Sequence, residues 1–124
     1  LAEDLVVDTD ELRSLRTYDL GELDGVPACF SDATTLLDDL VCFTASAEGA
    51  DDGDIRGSVV GTIDTSGDVR RLRRIDPDWK VEGVHAAVDT GVIDFLFVCD
   101  QDDPNAPSPL LSATMPIDAS LDGR

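Results

Sequence analysis

The chain has 124 residues, 27 acidic and 9 basic, for a formal net charge of −18. That length suits one domain able to bury a usable core. Its 42% apolar content separates it from disordered acidic tails, and its apolar runs fall far short of the ~20 residues of a membrane helix. A strongly negative field repels phosphate backbones, so neither nucleic acid nor a membrane is an expected partner.

The kind of acid is informative. The chain holds 22 Asp and 5 Glu against 8 Arg and one lysine, Lys80. Asp in excess with Lys nearly absent matches a proteome adapted to high salt, where short carboxylates hold water and ions at the surface. A GC-rich genome is the other reading, since it also raises Asp, Arg, Ala, Gly and Val. Cys29, Cys42 and Cys99 make an odd count with no CxxC pair. Cys42 and Cys99 lie inside apolar runs, where a thiol acts as a small hydrophobe. Unpaired thiols fit a reducing, cytoplasmic setting, and no basic n-region and apolar h-region precede a cleavage site. One histidine and no metal-ligand spacing argue against zinc.

Along the chain, short segments rich in Val, Ile, Leu, Thr and Phe alternate with Asp/Gly/Ser/Pro turns, which predicts strands. They fall at Leu5–Val7, Leu12–Tyr18, Asp32–Leu37, Leu40–Ser46, Arg56–Ile63, Val69–Ile75, Gly83–Val88, Val92–Cys99 and Leu110–Met115. No segment holds an amphipathic helical pattern for three turns; Asp8–Leu15 is the one competitor, as a short helix. Several strands are continuously apolar, which requires cover on both faces.

The segments repeat. Val7-Asp8-Thr9 before Leu12–Arg16 recurs as Ile63-Asp64-Thr65 before Val69–Arg73, and Ile117-Asp118-Ala119 begins the phrase again. Ser31 through Asp38 matches Glu82 through Asp89, and Leu40–Ser46 matches Phe95–Cys99, with three extra residues in the hairpin at Asp89-Thr90-Gly91. A four-stranded antiparallel meander recurring at ~55 residues is the blade of a β-propeller. The fold class expected is therefore all-β, a partial propeller of about two four-stranded blades. Residues 1–30 would hold outer strands of a preceding blade and a crossover, 31–80 a complete blade, and 81–124 a last, incomplete one. The chain then reads as a C-terminal part of a longer protein, with the remaining blades as its partners. A compact β-sandwich or small barrel is the alternative architecture.

Phe30-Ser31-Asp32-Ala33, the Ala47–Gly61 stretch, Lys80-Val81-Glu82-Gly83-Val84 and Asp100 through Leu111 resemble, in order and spacing, a bacterial and archaeal family of phytase-like six-bladed propellers, largely uncharacterised in function. The resemblance runs from about Leu12 to Met115. It implies that Glu82-Gly83 opens an inner strand where acidic side chains approach bound calcium. The first repeat departs from it with Ser31-Asp32, and no Lys/Arg cluster adjoins the matched acids, as phosphate-ester binding would need.

Strand direction alone gathers one set of groups on one face. The starts of the inner strands (Ser31, Asp32, Glu82) share it with two long loops, 48–54 and 100–105. The hairpins at Asp38-Asp39 and Asp89-Thr90 lie opposite. Glu82, Asp32, Asp100 and Asp102 are thus calcium-ligand candidates, since oxygen-only ligands on loops suit a hard cation, although the spacing is not an EF-hand. Glu48, Asp51, Asp52, Asp54 and His85 are binding candidates on the same face. A solvated acidic surface is the bland reading of the same residues, and a structural histidine that of His85. No GxSxG elbow supports a serine hydrolase. Arg70, Arg71, Arg73 and Arg74 fit edge protection of an outer strand, and Trp79 fits a plug in the crossover that follows it.

Two functions stay open at this level. One is a binding or scaffold module that uses an acidic face to hold a small molecule. The other is a calcium-assisted, phosphoesterase-like hydrolase whose site is completed by blades outside this chain. Whichever holds, self-repulsion among the carboxylates must be screened. The unfolding midpoint is expected to keep rising with KCl between 0.1 and 2 M; an unchanged midpoint in calorimetry would count against the high-salt reading.

Overall fold

A computed structural model of the chain describes residues 6–37, 39–51, 54–75, 79–101 and 103–116. Apart from a three-residue 3-10 turn at Thr9–Glu11, their regular structure is all strand: β1 (Glu22–Leu23), β2 (Val26–Leu36), β3 (Leu40–Glu48), β4 (Ile55–Ile63), β5 (Val69–Arg74), β6 (Val81–Asp89), β7 (Val92–Cys99) and β8 (Leu110–Pro116). They form two antiparallel sheets, β1-β2-β3-β4-β5 and β6-β7-β8. The protein is a partial β-propeller, with one complete four-stranded unit (β2–β5, extended by the short β1) and one three-stranded unit.

The two sheets repeat each other residue by residue. β2 carries a bulge between Phe30 and Asp32, and β6 carries one between Val81 and Gly83, so Ser31 and Glu82 are equivalent, 51 positions apart. Just past each bulge Asp32 pairs with Thr44 and Gly83 with Val98, which puts the second strands 54 positions apart. The difference of three lies in the hairpins. Leu36 faces Leu40 across three residues in the first sheet. In the second, the equivalent pair Ala87–Asp94 is followed by two more pairs and a Thr90-Gly91 turn. Both of those turn residues have positive φ, 49° and 81°, the backbone that a two-residue hairpin demands.

Strands this apolar need cover, and each sheet finds it differently. In β7 the alternation is strict: Ile93, Phe95, Phe97 and Cys99 are buried, while Leu96 and Val98 are not. The buried row packs with Val81, Ala86 and Met115 onto Leu36, Cys42 and Val60 of the first sheet, with Trp79 against the same core. That core joins the sheets face to face. The opposite face of the first sheet carries Phe43, Ala45, Ala47 and Val59, and it packs against Leu20, Leu23, Tyr18 and Val26 from the chain that precedes β3. Gly61 makes room for Phe43: a Cβ there would lie 2.5 Å from both the ring and the Arg71 carbonyl.

The segment Leu12–Tyr18, expected as a strand, is extended chain without a ladder. Side-chain bonds hold it instead. Arg16 Nη1 donates to the Ser66 carbonyl at 3.0 Å, and the Tyr18 hydroxyl to the Gly67 carbonyl at 2.7 Å. Its apolar residues Leu12 and Leu15 are exposed, and only Tyr18, at its end, packs on the first sheet. Val6 and Val7, from the expected strand Leu5–Val7, are exposed and unpaired, and Leu5 lies outside the described residues. β2 begins at Val26 rather than Asp32, because Ala28, Cys29 and Phe30 pair with Ala47, Ser46 and Ala45 before the bulge.

Two serine hydroxyls, one buried and one half-buried, fix how the second sheet sits on the first. Ser46 and Ser58, opposite one another on β3 and β4, lie 2.8 Å apart. The Ser58 Oγ accepts the Val81 N–H at 3.1 Å and lies 3.0 Å from the Trp79 carbonyl, while Ser46 Oγ donates to the Val81 carbonyl at 3.1 Å. Val81 is fully buried, so its peptide groups have no water to turn to. Replacing Ser58 with Ala orphans the Val81 N–H; a loss of about 1–3 kcal/mol in urea unfolding is expected, and a loss near zero would show that the tie does not hold the sheets.

Candidate functional site

The two bulges govern what lies at the starts of the inner strands. A bulge leaves one residue out of the ladder and re-aims its side chain. The bulged residues are Ser31 and Glu82, and both line one cleft of about 380 Å³ with Pro27, Cys29, Phe30, Ser46, Glu48 and Lys80. Glu48 reaches it because β3 ends there, beside its own irregularity after Ala47. Lys80 reaches it from the crossover, whose position is set by main-chain bonds. The Lys80 N–H donates to Gln101 Oε1 at 2.8 Å, and its carbonyl accepts from the Asp100 N–H at 3.1 Å.

Lys80 is the centre of the site. Its Nζ lies 3.3 Å from Glu48 Oε2 and 3.4 Å from Glu82 Oε2, so one ammonium bridges carboxylates from both sheets. The lysine side chain is only 15% exposed, against 43% for each glutamate. Partly exposed pairs of this kind add little stability singly; they fix where the charges stand. Ser31 Oγ, 2.8 Å from Thr44 Oγ1, and Ser46 contribute hydroxyls. Phe30, edge-on to Phe43 at 5.1 Å and to Tyr18 at 5.8 Å, forms an aromatic wall.

The other candidate residues are distributed as follows. Asp32 is half-buried and accepts the Val84 N–H at 2.9 Å, tying the two inner strands together. With His85, Gly83, Val84, Leu96 and Val98 it lines a separate, shallow cleft, so the histidine opens away from Lys80. Asp54 pairs with Arg56 at 3.0 Å; hydrogen bonds from that guanidinium hold its carboxyl below the usual value. Asp51 sits in the same loop, its carbonyl accepting the Asp54 N–H, and Asp100 flanks Lys80 through its main chain. Asp52, Asp102 and Asp38 lie outside the described residues, and Asp39 and Asp89 belong to the hairpins at the far ends of the strands. Among the described residues no three His, Cys, Asp or Glu side chains are grouped to hold a metal ion.

Three of the four arginines of β5 are engaged at the edge of the first sheet. Arg70 pairs with Asp64, Arg71 Nη1 donates to the Pro116 carbonyl at 3.0 Å, and Arg74 donates to the Arg56 carbonyl and lies 3.8 Å from Asp24. Asp64 also accepts the N–H groups of Ser66 and Asp68, and these bonds with Arg70 keep its carboxyl below the usual range. Sequence reasoning missed Lys80 as the focus. The available signals were that it is the sole lysine and that it stands two residues before Glu82.

The site is a mixed-charge cleft at the inner-strand starts of a partial β-propeller. The chain belongs to a family of unknown function, DUF6910, whose model matches residues 2–104. No curated protein and no solved structure matches it. No helix among the described residues is long and apolar enough to cross a membrane.

The three thiols are chemically unequal. Burial pushes the Cys42 thiol up to about 11 and raises that of Cys99, whereas Cys29 is exposed and lines the cleft. Since the thiolate is the reactive form, a disulfide reagent at pH 8 is expected to titrate one thiol, Cys29, in the folded protein and three after denaturation. Two or more fast-reacting thiols in the native state would contradict this packing.

Proposed function

We propose that the chain is a binding module whose Lys80 cleft takes a small polar molecule bearing an amine, with zwitterions fitting best. The observation that carries the reading is the Glu48–Lys80–Glu82 arrangement in an open cleft. Lys80 engages Oε2 of each glutamate, so a ligand amine is received at the Oε1 atoms on the outer side of the pair while the ammonium receives an anionic group. The hydroxyls of Ser31 and Ser46 offer hydrogen bonds, and Phe30 supplies an apolar wall, the usual make-up of a small-molecule site. A ligand carrying only negative charge meets a net field of −18 and is disfavoured.

Calcium fits this cleft less well, because the Lys80 ammonium already occupies the position between the two carboxylates. That weighs against the metal-assisted, phosphoesterase-like reading. A cytoplasmic location belongs to the same proposal, supported by three unpaired cysteines. So does adaptation to high salt, supported by 22 Asp against one Lys.

The test is a thermal-shift and calorimetric series on the wild type, Glu48→Gln and Glu82→Gln. Zwitterionic amino acids are expected to raise the melting temperature of the wild type and to lose that effect in both variants, while inorganic phosphate has none. Calcium is expected to give the same heat in wild type and Glu82→Gln. A calcium heat that vanishes with Glu82→Gln would overturn the binding reading in favour of the hydrolase.

A further inference from the structure

Each sheet has two unlike faces, and the repeat shows which face meets which. Phe97 and Cys99 of β7 are equivalent to Phe43 and Ala45 of β3, and this Phe-bearing face of the second sheet packs on the first. What it covers there is the opposite face, made by Cys42, Thr44 and Val60, all buried. Their equivalents in the second sheet follow from the two ladders. Cys42 corresponds to Leu96 and Thr44 to Val98; Val60, paired with Thr44, corresponds to Leu110, paired with Val98.

Those three equivalents are larger and more apolar in sum than the residues they match, yet they are exposed, at 41%, 50% and 63%. They form one stripe across β7 and β8, continuous on β6 with Gly83 and His85, which pair with Val98 and Leu96, and bordered by Asp32. An apolar stripe rimmed by polar groups marks a contact surface. Here its geometry is that of an interface already present once in the molecule.

We infer that this outer face docks the Phe-bearing face of a further antiparallel sheet of the same repeat, carried by the same polypeptide. A second copy of the chain does not fit. Its one Phe-bearing face not already packed against a sheet, at Phe43, Ala45 and Ala47, lies beneath Tyr18, Leu20, Leu23 and Val26. The stack is therefore directional, covered on the first sheet by the chain's own N-terminal segment and open on the second. A repeat array buries its core through contacts between neighbours, and an end left open calls for another unit.

The experiment places a thiol on the stripe. In a Cys29→Ser background, Val98→Cys and Leu96→Cys are introduced both into the 124-residue chain and into the product expressed from its gene in the native host. Maleimide labelling is followed by mass spectrometry, with sedimentation of the 124-residue chain in parallel. Both thiols are expected to label freely in the 124-residue chain, which sediments as a monomer. In the native product labelling is expected to slow by on the order of 100-fold, limited by local opening of the interface. Equal labelling in the two would overturn the proposal, as would a native product no longer than this chain with the stripe reactive. Self-association of the 124-residue chain that protects Val98→Cys would make a second copy the occupant and overturn it as well.

Discussion

Everything at the candidate site depends on the height at which the second sheet sits against the first, and two serine hydroxyls set that height. Ser46 and Ser58 take both peptide groups of Val81, a residue with no access to water. A slip of one residue along β6 would break those bonds and turn every side chain of the strand to its other face. With the height fixed, the two bulges stand side by side, and Asp32 meets the Val84 N–H beyond them. Lys80 then has carboxylates from both sheets within reach. The same few contacts thus define core, register and cleft.

Much of this was legible in the sequence because antiparallel repeats leave two numerical traces. The match of Ser31 to Glu82 is the match of one bulge to another, and the three extra hairpin residues appear as the two additional pairs Val88–Ile93 and Asp89–Val92 with their tight turn. Period-two burial in β7 was not legible, because Phe95-Leu96-Phe97-Val98-Cys99 is apolar throughout and implied cover on both faces, whereas Leu96 and Val98 are exposed. The N-terminal segment was not legible. Leu12–Tyr18 has a strand's pattern, yet a strand exists only where a neighbour supplies a ladder, and Arg16 and Tyr18 bond to the turn after β4 instead. The start of β2 was hidden for the converse reason: Ala28, Cys29 and Phe30 look like loop until Ala47, Ser46 and Ala45 pair with them.

The site was legible in part. Strand direction brought Glu48 and Glu82 to one end of the sheets, and the ladders put the Asp39 and Asp89 hairpins at the other. What direction cannot give is the side on which a residue emerges once a bulge intervenes. Glu82 and Asp32 therefore part company, one to Lys80 and one to the inner-strand contact beside His85. Acid counting also obscured the cation's role, since among 27 carboxylates the one lysine reads as a mark of composition and not as the centre of a site.

That scarcity gives the cleft an unusual chemical singularity. These 124 residues hold one ε-amine, and so one address for a reaction that acylates lysine: the cation that joins Glu48 to Glu82. Acetylation at Lys80 would remove the positive charge while leaving both carboxylates in place. Elsewhere on a lysine-rich surface such a modification is diluted among many equivalents. In this chain it would convert a cation-bridged junction between two sheets into two facing anions in a single step.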